Sequence, residues 1–351
     1  MKKISYAKAI NSAIYESMLI DSDVICYGLG VTDPKGVFGT TSNLESNFGK
    51  DRVFDIPASE NAITGISIGA GLNKIKSVVT HQRLDFFLLA MDQLVNGAAK
   101  WHYMFGGQLS VPITIRLIIG RGWGQGPTHS QNLQAWFAHI PGLKVVMPST
   151  PKDAKGLLMA SIFDPNPVIF LEHRWLHNAI GDVPEGDYRD MIGRASIINS
   201  GKDLTIVSMS YLTIESIKAI NHLKKFNINC ELIDLKTIRP IDWNTIKKSL
   251  KKTGRLLVLD TGYTTGSVAG EIIAKLTIEN FSDFKNAPER IAMPDVPEPT
   301  SFYLTKNFYV DSKIIVKKIV SMLNCDTSAL DSLENDHELH DIPGDWFEGP
   351  F

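Results

Sequence analysis

The chain has 351 residues, with 36 basic against 38 acidic side chains and 44% of residues apolar. That length suits two domains, each large enough to bury a core without a disulfide or metal staple. A formal charge of −2 argues against a general nucleic-acid binder, because phosphate neutralisation needs a basic excess. Cys26, Cys230 and Cys325 lie far apart, without CxxC or Cys/His metal spacing, so a reducing cytoplasm is expected. The start, MKKISYAKAINSAIYESM, has no apolar leader stretch, and the longest clearly apolar run, 86–91, is far short of a membrane span. A soluble chain with no membrane or nucleic-acid partner is the expectation.

Ile4, Ala7, Ile10, Ile14 and Met18 recur at helical spacing and predict the first helix. β-Branched runs at 24–27, 53–56, 77–80, 113–119, 144–147 and 168–171 read as buried strands. Between them Ile63, Ile66 and Ala70, then Phe87, Ala90, Met91, Leu94 and Ala98, mark two further helices, the second over 87–100. Apolar strands alternating with helices imply a parallel sheet covered on both faces. The first domain is therefore placed at 1–180, and a stretch at 181–194 carrying Gly181, Pro184 and Gly186 reads as a linker. The pattern restarts over 195–325, with strands at 203–209, 229–235, 255–260 and 289–293 and helices around 212–225, 243–251, 267–280 and 312–323. The fold class is thus α/β, two doubly wound domains. An acidic, turn-rich tail at 326–351 carries Trp346 and Phe351, which point to docking on a surface.

Gly28-Leu29-Gly30 follows a strand but lacks the third glycine and the helix of a dinucleotide fingerprint. Gly120, Gly122, Gly124 and Gly126 follow strand 113–119 and lead to Thr128-His129-Ser130-Gln131, which opens a helix in this reading. That run is either a flexible surface loop with Ser130 as a helix cap or a loop facing a ligand at the strands' carboxyl ends. Glu60 sits after strand 53–56 at the mouth of an almost uncharged helix, 62–72, that is expected to be buried. An acid there is either a dipole-stabilised first-turn residue or a partly desolvated carboxyl able to exchange protons. His81, Gln82, Arg83 and Asp85 form a polar cluster better suited to a pocket than to a core, whereas Phe86 and Phe87 look like core. Trp101, His102 and Tyr103 are candidates to cover a partner surface, and Asp164-Pro165-Asn166-Pro167 reads as a turn.

The motifs RVFDIPASENAITGISIGAG, MDQLVNGAAKWHYMFGGQ, THSQNLQAWFAHIPGLKVVMPSTPKDAKGLL, DPNPVIFLE, GKDLTIVS, ELIDLKTIRPID and KKTGRLLVLDTGYTTGSVAGEI occur in that order. Together they resemble the β subunit of the thiamine-diphosphate-dependent 2-oxoacid dehydrogenase first component, as in pyruvate dehydrogenase, over about residues 3–323. The resemblance implies a pyrimidine-binding domain followed by a transketolase C-terminal domain. It matches Glu60 to the glutamate that hydrogen-bonds the cofactor's aminopyrimidine and favours the imino tautomer, which removes the thiazolium proton. Phe86 matches the aromatic residue stacked on that ring, and His129 the active-site histidine. Leu29 and Gln82 fall at the same cofactor pocket. Ile113, Ser161, Ile162, Asp164 and Asn166 match a structural potassium site built mostly from main-chain carbonyls.

The family's diphosphate/Mg²⁺ signature, Gly-Asp-Gly followed by paired asparagines, does not occur in this chain. The resemblance therefore implies an α subunit that holds Mg²⁺ and the diphosphate, an α2β2 heterotetramer, and a dihydrolipoyl acyltransferase as a further partner. The implied reaction is decarboxylation of a 2-oxo acid with transfer of the acyl group to lipoyl. Two departures keep the substrate open: Leu29-Gly30 replaces an acidic pair, and Arg83 stands where an aromatic residue is common. A guanidinium there suits an anionic or hydroxylated substrate. A split transketolase-like or carboligating enzyme is the alternative, and a non-catalytic scaffold a third reading.

Overall fold

The computed structural model describes residues 1–122, 124–306, 308–325, 339–344 and 346–349. The first domain runs β1 (Lys2–Ser5), α1 (Tyr6–Ile20), β2 (Val24–Gly28), α2 (Leu44–Phe48), β3 (Val53–Asp55), α3 (Glu60–Leu72), β4 (Lys76–His81), α4 (Leu84–Phe87), α5 (Ala99–Met104) and β5 (Ile113–Ile119). It continues through α6 (Gln134–His139), β6 (Lys144–Val146), α7 (Pro151–Ile162), β7 (Val168–His173) and β8 (Ile180–Val183). The second comprises β9 (Ser196–Asn199), β10 (Leu204–Ser208), α8 (Tyr211–Leu223), β11 (Cys230–Asp234), β12 (Thr237–Arg239), α9 (Trp243–Thr253), β13 (Leu256–Tyr263), α10 (Val268–Asn280), β14 (Glu289–Met293) and α11 (Ser312–Met322).

Among the described residues, seven strands form one sheet in the order β12-β6-β7-β5-β4-β2-β3, and five form another in the order β14-β13-β10-β11-β9. Pairing is parallel except at β12, which runs against β6, and β9, which runs against β11. Every residue of β5 is buried, as a strand covered on both faces requires. On one face α1 lies against α7 and buries Tyr6, Ile10, Ile14 and Met18, each side chain worth about 1.5–3 kcal/mol of transfer free energy. Ser5 starts α1 by accepting from the Lys8 N–H, and Thr150 starts α7 with Pro151 at the first helical position.

The two domains interlock. The expected linker begins as a strand, β8, which pairs with β1, and β12 extends the first domain's sheet. Lys236, just before β12, reaches Asp190 at 2.6 Å and Asp153 of α7 at 3.3 Å, while Ser149 donates to buried Asp234. These ties fix the carboxyl ends of both sheets relative to each other.

Three local expectations change. The helix expected to follow residue 131 starts at Gln134, so Ser130 is not its cap; Ser130 Oγ is buried and unpaired. The helix expected over 87–100 starts at Leu84 and changes winding, with a wide π-helical turn over Gln93–Ala98. That turn sets Gly97 against α3, where a Cβ would lie 2.7 Å from Ile68 Cδ1. The expected burial of α3 is half met. Ile63, Ser67 and Ile68 are buried, but Ile66 is 66% exposed beside exposed Ala62 and Gly69. No helix among the described residues is long and apolar enough to cross a membrane.

Candidate active site

The loops after β2, β3, β4, β5 and β7 gather at the carboxyl ends of the parallel strands, where α/β sheets place ligands. Glu60 is the first residue of α3, in a short loop from β3, and is buried at 9% exposure. No side chain among the described residues hydrogen-bonds its carboxyl group. The neighbouring loop is pinned beside it: the Gly30 N–H donates to Asp55 Oδ1 at 2.7 Å. Gly30 adopts φ +74°, and a Cβ there would meet Gln82 Nε2 at 2.5 Å, so exposed Gln82 and half-buried Leu29 border one recess.

Across that recess α4 packs against α3 and presents Phe86, 36% exposed, while Phe87 is fully buried. The Phe86 and His129 rings meet edge-on, centroids 5.3 Å apart and planes at 88°. His129 Nδ1 lies 3.2 Å from Thr128 Oγ1. Asp85 accepts from Gln131 Nε2 at 2.7 Å, which ties the start of α4 to the segment carrying His129. A ring cofactor needs a flat apolar face, a carboxyl group free to bond a ring nitrogen and a polar group at the reacting end. Phe86, Glu60 and His129 meet those needs, so the residues present fit a thiamine pyrimidine.

The polar 81–85 cluster does not act as one pocket lining. His81 is buried against Phe87, and burial pushes its imidazole down to about 4. Arg83 turns inward, donating to the Gly120 carbonyl at 2.8 Å and to Gln125 Oε1. The glycine-rich run is a structured loop at these carboxyl ends. Gly120 has φ +72°, and a Cβ would lie 2.1 Å from His173 Nε2.

Ile113, Ser161, Ile162, Asp164 and Asn166 gather at the opposite, amino-terminal end of the sheet, where the turn after α7 enters β7 beside β5. Asp164 pairs with Lys144, and Asn166 Oδ1 is buried with no hydrogen-bond partner. A buried oxygen with no partner among the described residues fits a hard cation.

The family model for the transketolase pyrimidine-binding domain matches residues 2–178, and that for the transketolase C-terminal domain matches 193–315. The chain is 41% identical over 308 residues to the pyruvate dehydrogenase E1 component subunit beta of Rhizobium meliloti (strain 1021), covering 87% of this chain and 67% of that protein. The chain belongs to the E1 β-subunit family. Within it, the acetoin:2,6-dichlorophenolindophenol oxidoreductase subunit beta of Cupriavidus necator is 39% identical over 321 residues, 89% of this chain and 94% of that one. The 2-oxoisovalerate dehydrogenase subunit beta of Bacillus subtilis (strain 168) is 37% identical over 313 residues, 89% and 96% of the two chains. A solved structure described as a split-gene transketolase, inactive beta4 tetramer, has a TM-score of 0.75 at 17% identity, covering 92% of this chain and 98% of its own; it shows the shared fold.

In this β-subunit frame the sequence reading missed a second set of residues behind the site. Arg121 in the glycine-rich loop, Arg174 after β7, Phe38 in the loop after β2, and Asp341 and Phe347 of the returning C-terminal segment pack together. The tail expectation is met for Trp346, half-buried on the core, and it adds buried Phe347; Phe351 lies outside the described residues. Their signal was available in the charged run His173-Arg174-Trp175-Leu176-His177 at a strand's carboxyl end.

Proposed function

We propose that this chain is the β subunit of a thiamine-diphosphate-dependent 2-oxo acid dehydrogenase first component, active only with an α subunit that holds the diphosphate and Mg²⁺. The observation that carries the proposal is Glu60: a buried carboxyl group at the mouth of α3, with no hydrogen-bonding side chain among the described residues, on the helix that packs against α4, whose Phe86 meets His129. Bound there, the cofactor supplies the carbon nucleophile that 2-oxo acid decarboxylation requires. Glu60 holds a proton at its carboxyl oxygen and shares it with a ring nitrogen. Phe86 offers the ring an apolar face, and Leu29 and Gln82 border it. His129, fixed through Thr128, holds a proton at a ring nitrogen toward the substrate carbonyl.

The relatives are named as beta subunits, which supports an α partner; the proposal extends to a lipoyl acceptor on a dihydrolipoyl acyltransferase and an α2β2 assembly. Exposed apolar residues, Ile66 on α3, Leu89, and Tyr103 at the end of α5, supply surface for such partners. A potassium ion among the carbonyls of Ile113, Ser161, Ile162, Asp164 and Asn166 would brace the sheet, remote from the chemistry.

The test is reconstitution with the α subunit. Glu60→Gln should lower 2-oxo acid decarboxylation by about 10²-fold or more while leaving assembly intact. Full activity in that variant would remove the assignment. Turnover of ketose phosphates without reductive acylation of lipoyl would instead favour the split carboligating reading.

A further inference from the structure

Buried guanidinium groups in this fold are engaged. Arg116 reaches Glu172 at 2.6 Å and Thr80, Arg121 bonds two carbonyls and Asp341, and Arg83 bonds the Gly120 carbonyl and Gln125. Arg174 is the exception. It is only 2% exposed, its Nε is fully buried and unpaired, and none of its five side-chain N–H donors meets an acceptor among the described residues. No carboxylate among them forms an ion pair with Arg174 or with Arg83.

Aromatic contacts do not replace what is missing. The Arg174 guanidinium lies 4.4 Å from the centre of the Phe38 ring and 5.2 Å from that of Phe347. Cation–π contacts contribute about 0.5–2 kcal/mol, less than the several kcal/mol of hydration a buried cation gives up. Arg83 stands at the same Phe38 ring, at 6.0 Å. Burial and then the Arg174 charge push its guanidinium down to about 10, so both stay charged at neutral pH. Asp85 offsets part of this charge electrostatically, but its hydrogen bond goes to Gln131. Two guanidiniums and a free planar fork therefore sit at the carboxyl ends of β4 and β7, behind the loop that ends in His129. A planar fork of N–H donors matches a carboxylate or phosphate oxygen pair.

We propose that Arg174, with Arg83 beside it, receives an oxyanion carried by the substrate at the end remote from its reacting carbonyl. This rests on the 2-oxo acid reading above and narrows it to substrates with a second negative charge, as carboxylate or phosphate.

The test uses the assembled complex with 2-oxoglutarate against 2-oxovalerate, which match in chain length, and phosphohydroxypyruvate as the phosphate arm. The better of the two anionic substrates identifies the group. The wild type should favour an anionic substrate by about tenfold or more in kcat/KM. Arg174→Met should reduce that ratio about tenfold, mainly through KM, with partial recovery in Arg174→Lys. Preference for 2-oxovalerate, or a ratio unmoved by the substitution, would overturn the proposal. If Arg174→Met does not assemble, the wild-type ratio alone decides. Calorimetric titration of the complex with inorganic phosphate separates the two claims. Phosphate binding that Arg174→Met abolishes, without turnover of any 2-oxo acid, would sink the proposed activity and keep the anion site. Turnover of 2-oxovalerate with neither anionic preference nor phosphate binding would do the reverse.

Discussion

Arg121 and Asp341 form an ion pair of 3.0 Å with both side chains almost fully buried, joining the glycine-rich loop ahead of His129 to the returning C-terminal segment. Arg121 also donates to the carbonyls of Pro299 and Thr300, and His340 next to Asp341 is held at 2.7 Å by the Phe302 carbonyl. Removing the acid would leave a buried charge with carbonyl partners only. Asp341→Ala should lower the unfolding free energy by about 3 kcal/mol, and Asp341→Asn, which keeps an oxygen acceptor, by less. Thermal unfolding of the full chain checks this, and an unchanged transition in Asp341→Ala would show that the segment carries no load.

Phe86 and Phe87 are neighbours with opposite environments, so their truncations should separate. Phe87→Ala empties a fully buried site and should cost about 3–5 kcal/mol of stability. Phe86→Ala removes a half-open ring and should cost little stability while weakening thiamine diphosphate binding to the assembled complex about tenfold. Thermal unfolding paired with cofactor titration distinguishes the two; equal effects on both readouts would contradict the assignment of Phe86 to the recess.

Asp234 supplies a pH dependence between the domains. Burial pushes its carboxyl up to about 7, against the hydrogen bond from Ser149, with Asp153 and Lys236 facing it. A raised carboxyl favours the folded state while it is protonated. Its contribution is complete below the unfolded value near about pH 4 and is lost as pH rises through the folded one, up to about 4 kcal/mol in all. The wild type should therefore lose stability relative to Asp234→Asn between those limits, measured by denaturant unfolding at several pH values. Parallel curves for the two proteins would contradict it.

The difference between Phe86 and Phe87 also marks how far the sequence could be read. Periodicity located the major strands because β5 and its neighbours are buried on both faces, which writes continuous β-branched runs. It placed Phe86 and Phe87 together in the core, since adjacent apolar residues carry no label for which one faces a recess. Only the resemblance separated them. Helix α3 read as buried because an uncharged face looks the same whether the chain covers it or leaves it open, and Ile66 is open. Short edge strands β1, β8, β9 and β12 escaped notice for want of a long apolar run. Arg121 and Asp341 were illegible as partners behind the site because 220 residues of chain separate them, and their meeting at the glycine-rich loop is a tertiary fact.

The central claim is that this chain is half of an active site. Carbon dioxide release from 2-oxo acids, measured with thiamine diphosphate and Mg²⁺ for the chain alone, for an α subunit bearing the Gly-Asp-Gly…Asn-Asn signature alone, and for the two together, tests it most directly. The account predicts turnover only from the mixture, abolished by Glu60→Gln. Turnover by the chain alone, or a stable mixture that binds no thiamine diphosphate, would contradict it.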